Sequence, residues 1–216
     1  VHALLGGRAN LVELSISGPG GRIAGVSLRL YQPESRLWSL HYARAAKTPY
    51  ELACMRRASL VAARGHVAAH DAFLSGASEY EAHMAYCVAA GVREEELPYG
   101  NIVAFDAGGA VLHYQHLDRR RDVPRRSFLI DAGARFRGYA SDITRTWSGG
   151  DAEFSALVGA MDALQQQLCA GIREGRDYRD VHLEAHRAIG GLLHDAGIVS
   201  CDADTAVAER VTSVFF

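Results

Sequence analysis

No apolar run in this chain approaches the roughly 20 residues that cross a bilayer. The opening Val-His-Ala-Leu-Leu-Gly-Gly-Arg also lacks the layout of a signal peptide, so no membrane partner is expected. Cysteine is scarce. Cys54, Cys87, Cys169 and Cys201 lie far apart without a Cys-x-x-Cys pair, which argues against a zinc ribbon or a redox motif and for reduced thiols in a cytoplasm. Charge of one sign is missing as well: a formal net charge of -2 with 22% charged residues gives no field that would make nucleic acid the main partner. There is no initiator Met, so the N-terminus is expected to be cut. What remains is the composition of a soluble globular protein, long enough at 216 residues for one substantial core and a small second domain.

Turn and cap chemistry divides the chain. A Gly-rich turn, Gly18-Pro19-Gly20-Gly21, separates two runs that read as strands, Leu11 to Ile16 and Ile23 to Tyr31. Forty residues seldom fold alone, so residues 1–40 are expected to be the remnant of an N-terminal domain. Thr48-Pro49-Tyr50-Glu51 opens a helix to about Leu74, because Thr caps, Pro fits the first turn and Glu closes a capping box. Ser78-Glu79-Tyr80-Glu81 opens another, to about Ala90, by the same chemistry. Residues 99–104 and 109–114 read as strands around the turn cluster Asp106-Ala107-Gly108-Gly109, and Arg119 to Arg121 with Arg125 and Arg126 form a solvated loop. Asp151 caps a helix to about Ala170, a second helix spans Tyr178 to Asp195 with Gly197 ending it, and a third covers Asp204 to Val211. Strands followed by paired helices predict an α+β layout, a curved antiparallel sheet backed by helices.

Ser127 to Trp147 reads as a β-hairpin about Arg137-Gly138, whose Gly in the second loop position suits a type I′ turn. Pairing 136 with 139 puts Phe128, Ile130, Ala132, Ile143 and Trp147 on a core face. The opposite face carries Asp131, Gly133, Asp142 and Thr144, with Asp131 opposite Thr144 and Asp142 opposite Gly133. Aspartate is disfavoured in strands, and like charges within cross-strand reach repel, so folding alone gives no reason for two of them here. A cation between them would, and Gly133 removes a side chain from the gap. The alternative is an exposed hairpin whose acids pair with Arg135 or Arg137.

Asp131-Ala-Gly-Ala followed by Gly138-Tyr-Ala-Ser-Asp-Ile-Thr-Arg-Thr146 resembles the first metal-ligand hairpin of the pita-bread metallopeptidases, specifically the bacterial Xaa-Pro dipeptidases or prolidases. The resemblance extends to His41-Tyr42, Glu51 to Arg56, Pro98 to Ala104 and Ala110 to Tyr114, and covers residues 41–216, the expected first part of the catalytic domain. It implies hydrolysis of dipeptides with a C-terminal proline by a hydroxide bridging two divalent ions, Mn²⁺ by the oxygen donors. Asp131 and Asp142 would be metal ligands, His113 would stabilise the substrate carbonyl, and Thr144 would hydrogen-bond a ligand carboxylate. Tyr99 would line the pocket. A cytoplasmic homodimer is implied too. Relatives complete the shell with a histidine and two glutamates, the histidine following a segment like Val214-Phe215-Phe216. Residues 1–216 alone are therefore expected to be inactive. Two alternatives stay open: an Xaa-Pro aminopeptidase acting on longer peptides, and a non-catalytic pita-bread binding module. His182 and His186 share a helix face at i, i+4, but Glu184 is misplaced for the zincin His-Glu-x-x-His pattern, and His66 and His70 have no acid partner. Both pairs read as surface or helix-packing histidines. His116 has no support from the resemblance.

Overall fold

The structure is a computed structural model that describes residues 12–16, 26–30 and 34–213, and the chain divides into two units at the junction of Leu52 and Ala53. In the first unit, β1 (Val12–Ile16) and β2 (Val26–Leu30) pair antiparallel with Leu14 opposite Leu28. These are the two strands expected from the sequence; the Gly18–Gly21 turn between them lies outside the described residues. Helix α1 (Glu34–Ala45) was not expected. Its run of Leu, Arg and Ala after Pro33, free of Gly and Pro, favours a helix by propensity, without a strong apolar period to announce it.

Helix α2 (Pro49–Leu74) starts at its expected capping box. The Thr48 amide donates to Glu51 Oε2 at 2.7 Å, and the Glu51 amide to Thr48 Oγ1 at 3.3 Å. Its inward stripe, Cys54, Ala58, Ala62, Gly65, His66, Ala69 and Phe73, is mostly small. Helix α3 (Glu79–Ala90) can therefore come very close: a Cβ on Gly65 would lie 2.5 Å from the ring of Tyr86. A second capping box, Ser78 with Glu81, opens α3, and Gly91 at φ +69° closes it.

The sheet of the second unit is antiparallel, in the order β3-β4-β7, from β3 (Ile102–Phe105), β4 (Ser127–Ala132) and β7 (Ile143–Ser148). The short pair β5 (Arg135–Phe136) and β6 (Tyr139–Ala140) forms the tip of the hairpin between β4 and β7. Buried Phe128, Ile130 and Ala132 alternate with half-buried Ser127, Leu129 and Asp131 along β4, the period-2 signature of a sheet with one face inward. Phe73, Phe105 and Phe128 meet with ring centroids 5.2–5.5 Å apart, and Trp147 stacks on Phe128 and on His70. Each such ring contributes on the order of 2–3 kcal/mol by burial, and together they press the core face of the hairpin against α2.

Helices α4 (Ala152–Gly171, capped by Asp151) and α5 (Tyr178–Asp195) follow where expected, with Gly197 at φ +70° after α5. The expected third helix is shorter, α6 (Ala203–Ala208), with a 3₁₀ turn at Val211–Ser213. One expected element is absent. Residues 109–114 are not a strand: a 3₁₀ turn over Asp106–Ala110 runs into further turns, and Val111 and Leu112 are exposed. Asp106 adopts φ +48° and turns the chain, its Oδ1 accepting from the amides of Arg126 and Ser127. Among the described residues no strand lies beside 109–114 to pair with it, so its apolar residues have no ladder to join. The basic stretch is a connection, as expected, but a paired one: Arg120 binds Asp118, Arg121 binds Glu81, and Arg119 lies 3.7 Å over the ring of Tyr80.

Candidate metal centre

The hairpin closes on a two-residue turn in which both central residues, Arg137 at φ +50° and Gly138 at φ +86°, are left-handed. That is the type I′ geometry whose twist matches the strands it joins. The register follows from it without a slip. Phe136 pairs with Tyr139, and further down Asp131 pairs with Thr144 and Phe128 with Trp147. The ladder is interrupted at 133–134 and 141–142, yet the Ser141 amide still donates to Ala134 O at 2.9 Å, in the same register.

Gly133 has a different neighbour from the one expected. It is buried, and a Cβ there would lie 2.0 Å from the backbone oxygen of Ser141 and 2.8 Å from Cγ of Pro98. The glycine therefore makes room for protein, not for an ion. Its consequence still bears on the acids. With Pro98 seated on Gly133, the preceding Leu97 is buried in the core and the following Tyr99 is carried to the carboxylates. The Arg135 guanidinium secures the same segment by donating to Pro98 O at 3.1 Å.

Tyr99 is the residue that joins the two acids. Its hydroxyl lies 2.7 Å from Asp131 Oδ1 and 2.9 Å from Asp142 Oδ1. Burial first, then its hydrogen bonds to Asp131 and Asp142, push the phenol well above its ordinary range, so it keeps its proton. A phenol has one proton to give, and two carboxylate oxygens converge on it. The second contact lacks a donor. The ion pairs among the described residues include neither acid, and the guanidinium of Arg135 is engaged elsewhere. Two carboxylates gathered about one hydroxyl, with an ion pair to neither among the described residues, fit a bound cation.

Thr144 pairs with Asp131 across the ladder, but its side chain forms no hydrogen bond to either acid among the described residues. His113 sits exposed in the turn at φ +54°, a conformation His tolerates better than most residues. Glu79 is the site-region residue that sequence reasoning missed, beyond its place in a capping box. It is 4% exposed, and three donors satisfy it: the Phe105 amide on Oε1 at 2.9 Å, and the Tyr114 hydroxyl and Asp118 amide on Oε2, both at 2.8 Å. One buried carboxylate in the first turn of α3 thus pins both flanks of the loop that carries His113. Its place in the first turn of a helix capped by Ser78 is the only sequence signal for it. His66 belongs to the packing, as expected, its ring nitrogens each 3.0 Å from a backbone oxygen, of Ala62 and of Ile143; the second bond anchors β7 one residue after Asp142.

Comparison with known proteins decides the family. The family model of metallopeptidase family M24 matches residues 53–205. The chain belongs to that family. It is 51% identical over 178 residues to an Xaa-Pro dipeptidase of Stenotrophomonas maltophilia, covering 82% of this chain and 40% of the relative. It is 45% identical over 216 residues to an Xaa-Pro dipeptidase of Aeromonas hydrophila, covering 99% and 47%. The chain thus spans less than half the length of these relatives. Among solved structures it is similar to proline aminopeptidase P II from Yersinia pestis, at 28% identity and a TM-score of 0.66, over 82% of this chain and 41% of that one. Aminopeptidase P from E. coli in its low-pH form matches equally, at 28% and 0.66, over 80% and 40%. The fold is the pita-bread fold of these enzymes, of which the chain holds a part. M24 metallopeptidases use divalent metal ions, in keeping with the donor deficit between Asp131 and Asp142.

Proposed function

We propose that this M24 segment carries part of the active site of an Xaa-Pro dipeptidase, in which Asp131 and Asp142 hold two divalent ions. The observation that carries the proposal is the convergence of Asp131 Oδ1 and Asp142 Oδ1 on the one hydroxyl of Tyr99. Hard carboxylate oxygens favour Mn²⁺. Ions bound there would supply Lewis-acid chemistry, making a water nucleophilic near neutral pH and polarising the scissile carbonyl. The chain's own residues prepare that site. The hairpin register fixes both carboxylates on one face, Tyr99 orients an oxygen of each, and Thr144 stands across from Asp131 to support it. His113 donates to the substrate carbonyl oxygen as negative charge develops there. Since two carboxylates leave most of the roughly six positions of a hard cation to other groups, activity is assigned to the full-length protein and not to residues 1–216. The four free cysteines suit the cytoplasm.

Specificity has one competing reading, favoured by the solved structures named as aminopeptidases P: release of the residue before proline from longer peptides. The test compares the full-length Mn²⁺-loaded protein on an Xaa-Pro dipeptide and on a tripeptide with proline second. Faster turnover of the dipeptide, lowered by about 10³-fold or more in Asp142→Asn, is expected, since metal activation contributes several kcal/mol. Preference for the tripeptide establishes the aminopeptidase. Absence of turnover on both, in protein that binds Mn²⁺, leaves a binding module.

A further inference from the structure

His182 and His186 take no part in the centre at the hairpin, yet they form the closest pair of imidazoles in the described chain. One turn apart on α5, their Nε2 atoms face each other at 3.0 Å, with ring planes at 79°. His186 Nδ1 lies 2.7 Å from Oγ1 of Thr212, which is 2% exposed in the 3₁₀ turn Val211–Ser213. A neutral imidazole has one N–H. When His186 gives that proton to Thr212 from Nδ1, its Nε2 is left with a lone pair, on the side that faces His182. A ligand histidine tied through its other nitrogen to a protein oxygen is the usual arrangement in metal sites, because it fixes tautomer and ring orientation.

The spacing fits as well. Metal–imidazole bonds of about 2.0–2.1 Å at a right angle place the two nitrogens about 3 Å apart, the separation observed here before any ion is added. His182 is exposed, so the remaining positions open to water. Nearby charges are already engaged: Glu184 with Arg176 and Arg187 with Asp204. Among the described residues no third His, Cys, Asp or Glu converges on the pair, so the site is a two-imidazole chelate completed by solvent.

We propose that His182 and His186 bind a borderline divalent transition ion, of the class of Zn²⁺, Ni²⁺ or Cu²⁺. The site is separate from the carboxylate pair, whose oxygens suit hard ions. His182 changes tautomer on binding: the proton on Nε2 that bridged the two rings is lost to solvent and Nδ1 takes one up, so the net proton count is unchanged. Through Thr212 the ion would brace α5 against the Val211–Ser213 turn.

The test titrates Ni²⁺, and separately Mn²⁺, into the metal-free full-length protein by calorimetry. His182→Ala, at an exposed position, should keep the fold by circular dichroism and lose at least about tenfold in Ni²⁺ affinity. Thr212→Val should weaken Ni²⁺ by about tenfold, the common cost of losing a ligand's supporting hydrogen bond. Asp131→Asn should leave this Ni²⁺ site intact while weakening Mn²⁺. Wild-type Ni²⁺ affinity in His182→Ala overturns the proposal. So does Ni²⁺ binding that disappears in Asp131→Asn, which would place the ion on the hairpin. Neither outcome depends on whether the enzyme cleaves Xaa-Pro dipeptides.

Discussion

The hairpin and the loop before it deliver functional candidates by different physical means. In the hairpin, backbone hydrogen bonds do the placing: a type I′ turn at Arg137-Gly138 sets a register that holds from Phe136–Tyr139 to Ser127–Ser148, and the period of two puts Asp131 and Asp142 on one side. In the loop over residues 106–118 there is no ladder. Asp106, Glu79 and a few donors hold it, and His113 stands exposed at φ +54°. Where the backbone is periodic, side-chain direction follows from counting residues. Where single side chains pin it, direction follows from partners distant in sequence: Glu79 lies 26 residues from Phe105 and 39 from Asp118.

The strongest way to break the ladder side of this comparison is Gly133→Ala. Its Cβ would fall 2.0 Å from the Ser141 oxygen, a backbone atom that cannot turn away, and 2.8 Å from Pro98. Overpacking commonly costs 1–3 kcal/mol; with backbone on one side the loss should be at least about 3 kcal/mol in chemical denaturation. The Tyr99 hydroxyl should also be displaced from the two acids. A denaturation midpoint within error of wild type would show that the hairpin can widen at no cost, and that Gly133 does not seat Pro98.

That contrast also separates what was legible in the sequence from what was not. The caps at Thr48, Ser78 and Asp151, the ends of α2 and α5, and the two-aspartate face all arise from contacts within a few residues or from strand period, and local pattern carries them. The 109–114 strand failed because β-rich composition does not supply a neighbouring strand. Gly133 was located as a close approach but with the wrong partner, since nothing local to a glycine names the atom that approaches it. Tyr99 was placed near the pocket, but its contacts with the two acids span 32 and 43 residues, and Glu79 was legible only as part of a cap. Helix α1 was missed because propensity without periodicity is a weak signal.

On the loop side, Glu79→Gln isolates the pinning carboxylate at nearly constant volume. The amide oxygen can still accept from the Phe105 amide, and the Tyr114 hydroxyl can turn to accept from the new NH₂. The Asp118 amide cannot adapt: it would face a donor in place of Oε2, from which it now stands 2.8 Å. An unsatisfied buried donor costs about 1–3 kcal/mol, and that range is expected in denaturation, with faster hydrogen exchange at the Asp118 amide. A change confined to global stability, with Asp118 exchange unaltered relative to its neighbours, would mean that Glu79 supports α3 and does not hold the loop.

The smallest expected effect concerns the same carboxylate read through its partner. Tyr114 is pushed up from the ordinary phenol value of 10.0 to about 12, by burial first and then by its hydrogen bond to Glu79. The folded state therefore holds this proton more tightly than the unfolded chain does. Below pH 10 both states are protonated and the stabilising contribution is fully present. Above pH 10 the unfolded chain ionises first, binds fewer protons than the folded state, and stability falls as pH rises toward 12. Tyr114→Phe removes that linkage along with the hydroxyl. The variant should be less stable than wild type at pH 8 because Oε2 of Glu79 loses one of its two donors, and the gap should narrow as the pH is raised from 10 to 11.5. Because Tyr114 is only partly shielded from water the narrowing will be small, and denaturation midpoints measured in parallel at pH 8, 10 and 11.5 are the way to see it. A gap that stays constant across that range would detach Tyr114 from Glu79 and leave the Phe105 and Asp118 amides as the whole of the clamp.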